Sequence, residues 1–123
     1  MRIERIARYA KGFSDPTRLK ILWLLSKHPL CVCEIMGVLG VSQPKASRHL
    51  IYLSNAGLVE SYREGRWVVY RIKKELPGWL FEVLERFVEA VGASSEAEEL
   101  RSKLEQILKD KDYRRKRGVE DGR

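Results

Sequence analysis

The strongest constraint on this chain is a pair of short amphipathic helices held apart by a single glycine turn. The second helix opens at Ser42-Gln43-Pro44-Lys45. Ser42 suits the N-cap, where its hydroxyl accepts from a backbone N–H that the helix leaves unpaired. Pro44 falls in the first turn, where its missing N–H costs little. Ala46, Leu50 and Leu53 recur at i, i+4 and i+7 and form one apolar stripe. Gln43, Lys45, Ser47, Arg48 and His49 are read as lying off that stripe. Asn55-Ala56-Gly57 supplies the stop, because glycine adopts positive φ without strain. Upstream, Leu30 to Leu39 reads as a helix with Ile35, Val38 and Leu39 inward, and Gly40-Val41 is the turn between the two.

A helix that buries one side and offers Ser, Gln, Lys, Arg and His on the other suits a DNA major groove. There arginine pairs with guanine edges and glutamine with adenine edges through two hydrogen bonds each. Charge agrees: 24 Lys and Arg against 17 Asp and Glu give a formal net charge of +7, which favours a polyanionic partner. Helix, glycine turn and basic helix make a helix-turn-helix. Behind it, Leu58 to Arg63 and Trp67 to Ile72 read as two strands joined at Glu64-Gly65. Arg63 and Arg66 flank the hairpin tip and make it a wing able to reach phosphates beside the recognition helix. The expected DNA-contacting residues are Ser42, Gln43, Lys45, Ser47, Arg48, His49, Arg63 and Arg66.

The remaining segments are helical. Arg2 to Lys11 carries Ile3, Ile6, Ala7 and Ala10 on a narrow apolar face. Asp15-Pro16 caps and starts a heavily apolar helix containing Leu19, Leu22, Trp23 and Leu25. Leu76 to Val91 is the most apolar helix, and its stripe is wider than one small domain covers. Part of it is therefore expected to be a dimer interface, with Trp79, Leu80, Val83 and Phe87. Ser95 and Glu98 fit a capping box for a further amphipathic helix ending near Lys109. From Lys111 the chain is densely charged and reads as a disordered tail. The fold expected is mainly α (α+β): a winged helix-turn-helix with a two-stranded wing and terminal dimerisation helices. Its parts are 1–92 (DNA binding and dimerisation), 93–110 (C-terminal helix) and 111–123 (tail). No apolar run reaches bilayer length, and Met1 to Lys11 is charged throughout, unlike a secretory signal; a cytoplasmic chain is expected. No nucleophile-base arrangement, phosphate-binding glycine loop or metal-hydrolase motif is present, so no enzymatic activity is expected.

Cys31 and Cys33, separated by one residue, cannot build a disulfide framework and read as reduced thiols. Thiolates are soft ligands suited to As(III), Sb(III), Cd(II) or Cu(I). On a regular helix, residues i and i+2 are rotated about 200° apart. One ion can therefore take both thiolates only if the helix start unwinds.

From Asp15 to Ile72 the chain closely resembles the ArsR family of winged-helix, metal-responsive repressors. The resemblance rests on Asp15-Pro16-Thr17-Arg18-Leu19-Lys20-Ile21-Leu22, Cys31-Val32-Cys33-Glu34-Ile35, Ser42 to Leu50, Gly57-Leu58-Val59 and Gly65 to Ile72. It implies a homodimer that represses transcription from a palindromic double-stranded operator and is released by an inducer ion. It also implies dimerisation through the first helix, with Ile3 and Ile6, and the Leu76–Val91 helix. Cys31-Val32-Cys33-Glu34 resembles the arsenite and antimonite site of the arsenic-responsive branch, so As(III) or Sb(III) is the expected inducer, bound at Cys31 and Cys33 with no other cofactor required. One departure stands out: Met36 occupies the position where such relatives often carry a third cysteine, and its neutral thioether is a poorer ligand than a thiolate. Three alternatives stay open at the level of sequence: another soft metal, thiol oxidation, and a constitutive DNA-binding module whose cysteines only pack.

Overall fold

The computed structural model describes residues 1–116. Among these the elements run α1 (Ile3–Gly12), α2 (Pro16–Lys27), β1 (Leu30–Cys31), α3 (Val32–Leu39), α4 (Gln43–Ala56), β2 (Val59–Glu64), β3 (Trp67–Ile72), α5 (Gly78–Gly92) and α6 (Ala97–Lys116).

Caps written in the sequence set the two central helices. Asp15 Oδ1 accepts from the N–H groups of Thr17 and Arg18 at 2.8 and 3.1 Å, and Pro16 opens α2. Ile21 to Leu25 are all buried, so this stretch of α2 is enclosed on every side and forms the axis of the core. Ser42 Oγ accepts from Lys45 N–H at 3.3 Å at the start of α4. Gly57 ends α4 at φ +85, and Gly40 makes the α3–α4 turn at φ +66. Both positions need the left-handed conformation that a side chain resists.

The sheet is antiparallel and ordered β1-β3-β2. The β2–β3 hairpin is the expected wing, paired from Val59↔Ile72 to Glu64↔Trp67. The wing is two-stranded as expected, and β1 adds a third strand to its sheet, inside the segment read as the start of the third helix. Leu30 and Cys31 pair with Tyr70 and Val69, which shortens the third helix to Val32–Leu39. A two-residue strand has no periodicity of its own and exists only because β3 lies beside it.

The wide stripe of α5 divides between the core and the surface. Leu80 is fully buried at 0% exposure, so its place is the monomer core and the expectation that it lies at a dimer interface is corrected. Trp79 and Phe87 remain exposed and lie beside α1, with Trp79 edge-on to Tyr9 at 6.0 Å and Phe87 stacked on Phe13 at 4.6 Å.

α6 folds back over α3. Leu100 and Leu104 join the core. The side chain of Ile107 lies so close to Gly37 that a Cβ there would come within 2.9 Å of its terminal methyl. Lys20–Glu96 at 3.0 Å and Arg101 Nη2 donating to the Gly92 carbonyl at 2.6 Å fix the start of the helix. α6 continues to Lys116, past the Lys109 end read from sequence, so the segment read as a tail from Lys111 begins in helix. Residues 117–123 of that tail lie outside the described residues.

Candidate nucleic-acid interface and thiol pair

The outer face of α4 carries Ser42, Gln43, Lys45 and Arg48, all exposed, with Ser47 half-buried at its edge. Ile51 and Asn55 extend the same face. Ile51 is a contribution that the polar reading passed over. Arg63 and Arg66 are exposed on either side of the wing tip, where Gly65 turns at φ +63. Arg71, by contrast, is tied down: its Nε donates to Glu60 Oε2 at 2.9 Å and its guanidinium lies 4.4 Å from the Tyr62 ring centre. That hydrogen bond holds the Glu60 carboxyl below its ordinary pKa.

His49 does not join the outer face. It is 7% exposed and points back at α2. The reason lies in the register, since positions 46, 49, 50 and 53 together form the i, i+3, i+4, i+7 inner stripe. A polar residue there needs a partner inside, and Arg18 supplies it through Nη1 at 3.2 Å from Nδ1. Asp15 Oδ1 lies 3.8 Å from Nε2. Burial, opposed by Asp15 but aided by Arg18, Arg48 and Lys45, sets the imidazole pKa below its ordinary 6.5. Burial works against the Asp15 charge. The N–H bonds from Arg18 and Thr17, with the charges of His49 and Arg18, outweigh it and lower the Asp15 pKa. The spacing of position 49 was the signal for its burial; its chemical type pointed the other way.

The thiols occupy unlike places. Cys31 is extended (φ −85, ψ 169), buried, and sits both in β1 and at the N-cap of α3. Cys33 is exposed in the first turn of α3. Glu34 Oε1 accepts from Cys31 N–H at 2.9 Å, and Glu34 Oε2 pairs with Lys111 of α6 at 3.5 Å. Burial pushes the Cys31 thiol up to about 12, with the Glu34 carboxylate and Cys33 adding to the rise and a backbone N–H of Glu34 opposing it. Met36 lies one turn beyond Cys33 and is half-buried. Among the described residues, no group of three or more His, Cys, Asp or Glu is arranged to hold a metal ion. His28 sits at the end of α2, its Nδ1 2.6 Å from the Pro29 carbonyl. No helix among the described residues is long and apolar enough to cross a membrane.

Of the residues expected at a dimer interface, Ile3, Ile6, Trp79 and Phe87 are exposed on α1 and α5 and Val83 is half-buried there.

Comparison with known proteins agrees with this architecture. Residues 15–61 match the family model described as bacterial regulatory protein, arsR family. The chain is 46% identical over 81 residues to the arsenic resistance transcriptional regulator ArsR2 of Pseudomonas putida, covering 65% of this chain and 70% of that protein. It is 42% identical over 76 residues to the arsenical resistance operon repressor of Escherichia coli, covering 61% of this chain and 65% of that one, just under two thirds of the repressor's length. Among solved structures, it resembles a homodimeric winged helix-turn-helix DNA-binding domain from Mycobacterium bovis, with a TM-score of 0.61, 31% identity, and 76% and 82% of the two chains covered. The exposed basic face of α4, the wing beside it and these relatives lead to one conclusion: the chain belongs to the ArsR family of winged-helix regulatory proteins, which are DNA-binding transcription factors and not enzymes.

Proposed function

We propose that this protein is a homodimeric repressor that occupies a palindromic operator and leaves it when As(III) or Sb(III) is taken by Cys31 and Cys33. The observation that carries this reading is the position of the two thiols at the junction of β1 and α3. α3 packs against the recognition helix α4, and β1 is hydrogen-bonded to the wing strand β3. A ligand that draws both sulfurs together has to remodel the first turn of α3, because Cys31 is buried and extended while Cys33 is exposed on the helix. That turn sits between the two DNA-contacting parts, so its distortion spoils their fit to the duplex. Because Cys31 is already outside the helix, the unwinding is confined to one turn. Two thiolates leave the third position of the ion to solvent, a small thiol or Met36.

In this reading Ser42, Gln43, Lys45, Ser47 and Arg48 face the major groove, with Arg63 and Arg66 on the flanking phosphates. Ile3, Ile6, Trp79, Val83 and Phe87 form the dimer contact.

Fluorescence anisotropy of the reduced protein on DNA from upstream of its own gene tests the proposal. Arsenite should release the wild type and leave a Cys31→Ser, Cys33→Ser double variant bound. DNA that stays bound to wild type under arsenite would remove the metalloid assignment. Release by Cd(II) alone, or by peroxide without a metalloid, would move it to another soft metal or to thiol oxidation.

A further inference from the structure

Three helices meet at one guanidinium. Arg18, in the first turn of α2, donates through Nη2 to the Lys11 carbonyl at 2.7 Å and through Nε to the Gly12 carbonyl at 3.3 Å. Its Nη1 meets His49 Nδ1 at 3.2 Å, and its Cζ lies 4.5 Å from the ring centre of Tyr52. His49 and Tyr52 are three residues apart on α4 and so share a face. The last carbonyls of α1, the start of α2 and the inner side of the recognition helix are therefore fastened to the same side chain.

Arginine stays protonated and can only donate. His49 Nδ1 must then accept, which fixes the neutral tautomer with its proton on Nε2, the atom that faces Asp15. We infer that Arg18 and His49 are positioning residues for DNA recognition: neutral His49 holds α4 in its reading orientation through Arg18, and a proton on His49 releases the helix and weakens DNA binding. An imidazolium would set an N–H and a positive charge against the Arg18 guanidinium. The charged groups facing His49 are Asp15 and Arg18 from α2 and Lys45 and Arg48 from α4 itself. Of these only Asp15 favours the proton, and its Oδ1 is already engaged as the cap of α2. The direction of the His49 shift agrees. The inference depends on DNA binding by α4 and is independent of any inducer.

Anisotropy of the full chain on an operator fragment, at fixed salt from about pH 8 to about pH 5.5, tests it. Wild type should lose about tenfold in affinity toward the acid end. His49→Asn places a non-titrating acceptor where Nδ1 lies; it should bind within about threefold of wild type at neutral pH and lack the extra acid loss. Arg18→Lys, lacking the fork, should bind about tenfold more weakly at every pH. Both variants should keep the wild-type salt slope, whereas a lost phosphate contact would lower it by about 0.9. The chain has two histidines, so their imidazole resonances in the wild type, assigned with His28→Gln, give a readout that needs no folded His49 variant. The affinity loss should follow the His49 titration. A loss that follows His28 or neither histidine, an acid loss retained in His49→Asn, or a reduced salt slope in either variant would overturn the inference.

Discussion

Position 49 shows what a residue's chemical type hides and its register reveals. A histidine that directly follows Ser47 and Arg48 looks like a contact, yet it falls on the inner stripe with Ala46, Leu50 and Leu53. The burial has a thermodynamic signature. Because the folded state holds His49 below its unfolded value, the unfolded chain takes the proton first as pH falls. Stability should be highest above the ordinary histidine value of 6.5 and decline as pH falls through and below it. Urea midpoints at neutral and mildly acid pH should show this decline in wild type and not in His49→Asn. The Asp15 contribution has a separate window: it is present above the carboxyl's ordinary 3.8 and is lost only in stronger acid. Asp15→Ala should cost about 1 kcal/mol by the loss of its cap alone, measured by thermal denaturation.

The elements whose ends are encoded locally were legible in the sequence. Asp15-Pro16 starts α2, Ser42 starts α4 and Gly57 closes it, each by chemistry within a few residues. Elements that owe their form to a distant partner were not. β1 is a strand only because β3 reaches it, and Leu80 is core only because α2 lies beneath it; neither fact is stored nearby in the chain. Glycines separate along the same line. Gly57→Ala should lower stability by about 1–2 kcal/mol, since its φ of +85 strains any L side chain. Gly78→Ala, in the first turn of α5 with open space around it, should be neutral or stabilising by up to about 1 kcal/mol. Paired melting curves distinguish the two. The α6–α3 contact offers a third test. Glu34 and Lys111 are only 14% and 12% exposed, so Lys111→Ala strands a carboxylate that holds the Cys31 N–H. The start of α3 should loosen by about 1–2 kcal/mol, between the surface and buried extremes for ion pairs. Under the proposed sensing reading, a lower arsenite concentration should then release the DNA.

At the scale of the whole molecule, α1 and α5 leave apolar surface exposed, where the proposed second copy would sit. Ile3 is 80% exposed and Ile6 lies on the same helix, beside the α5 aromatics. Ile3→Glu, Ile6→Glu should convert the proposed dimer to a folded monomer in sedimentation equilibrium, whereas Leu80→Glu should unfold the chain. The winged architecture was legible from motif order. The fold-back of α6 was not, because its weakly amphipathic face fits a partner chain as well as α3. The unequal burial of the two cysteines has a further effect, in time. An ion arriving from solvent meets Cys33 directly, while Cys31 becomes available only when β1 and the first turn of α3 open locally. Once the first sulfur has caught the ion, the second faces it at the high effective concentration of a tethered partner. A brief encounter dissociates before that opening occurs; a sustained one does not. For an inducer held by both thiols, such a sensor weighs how long the signal persists as well as how much of it there is.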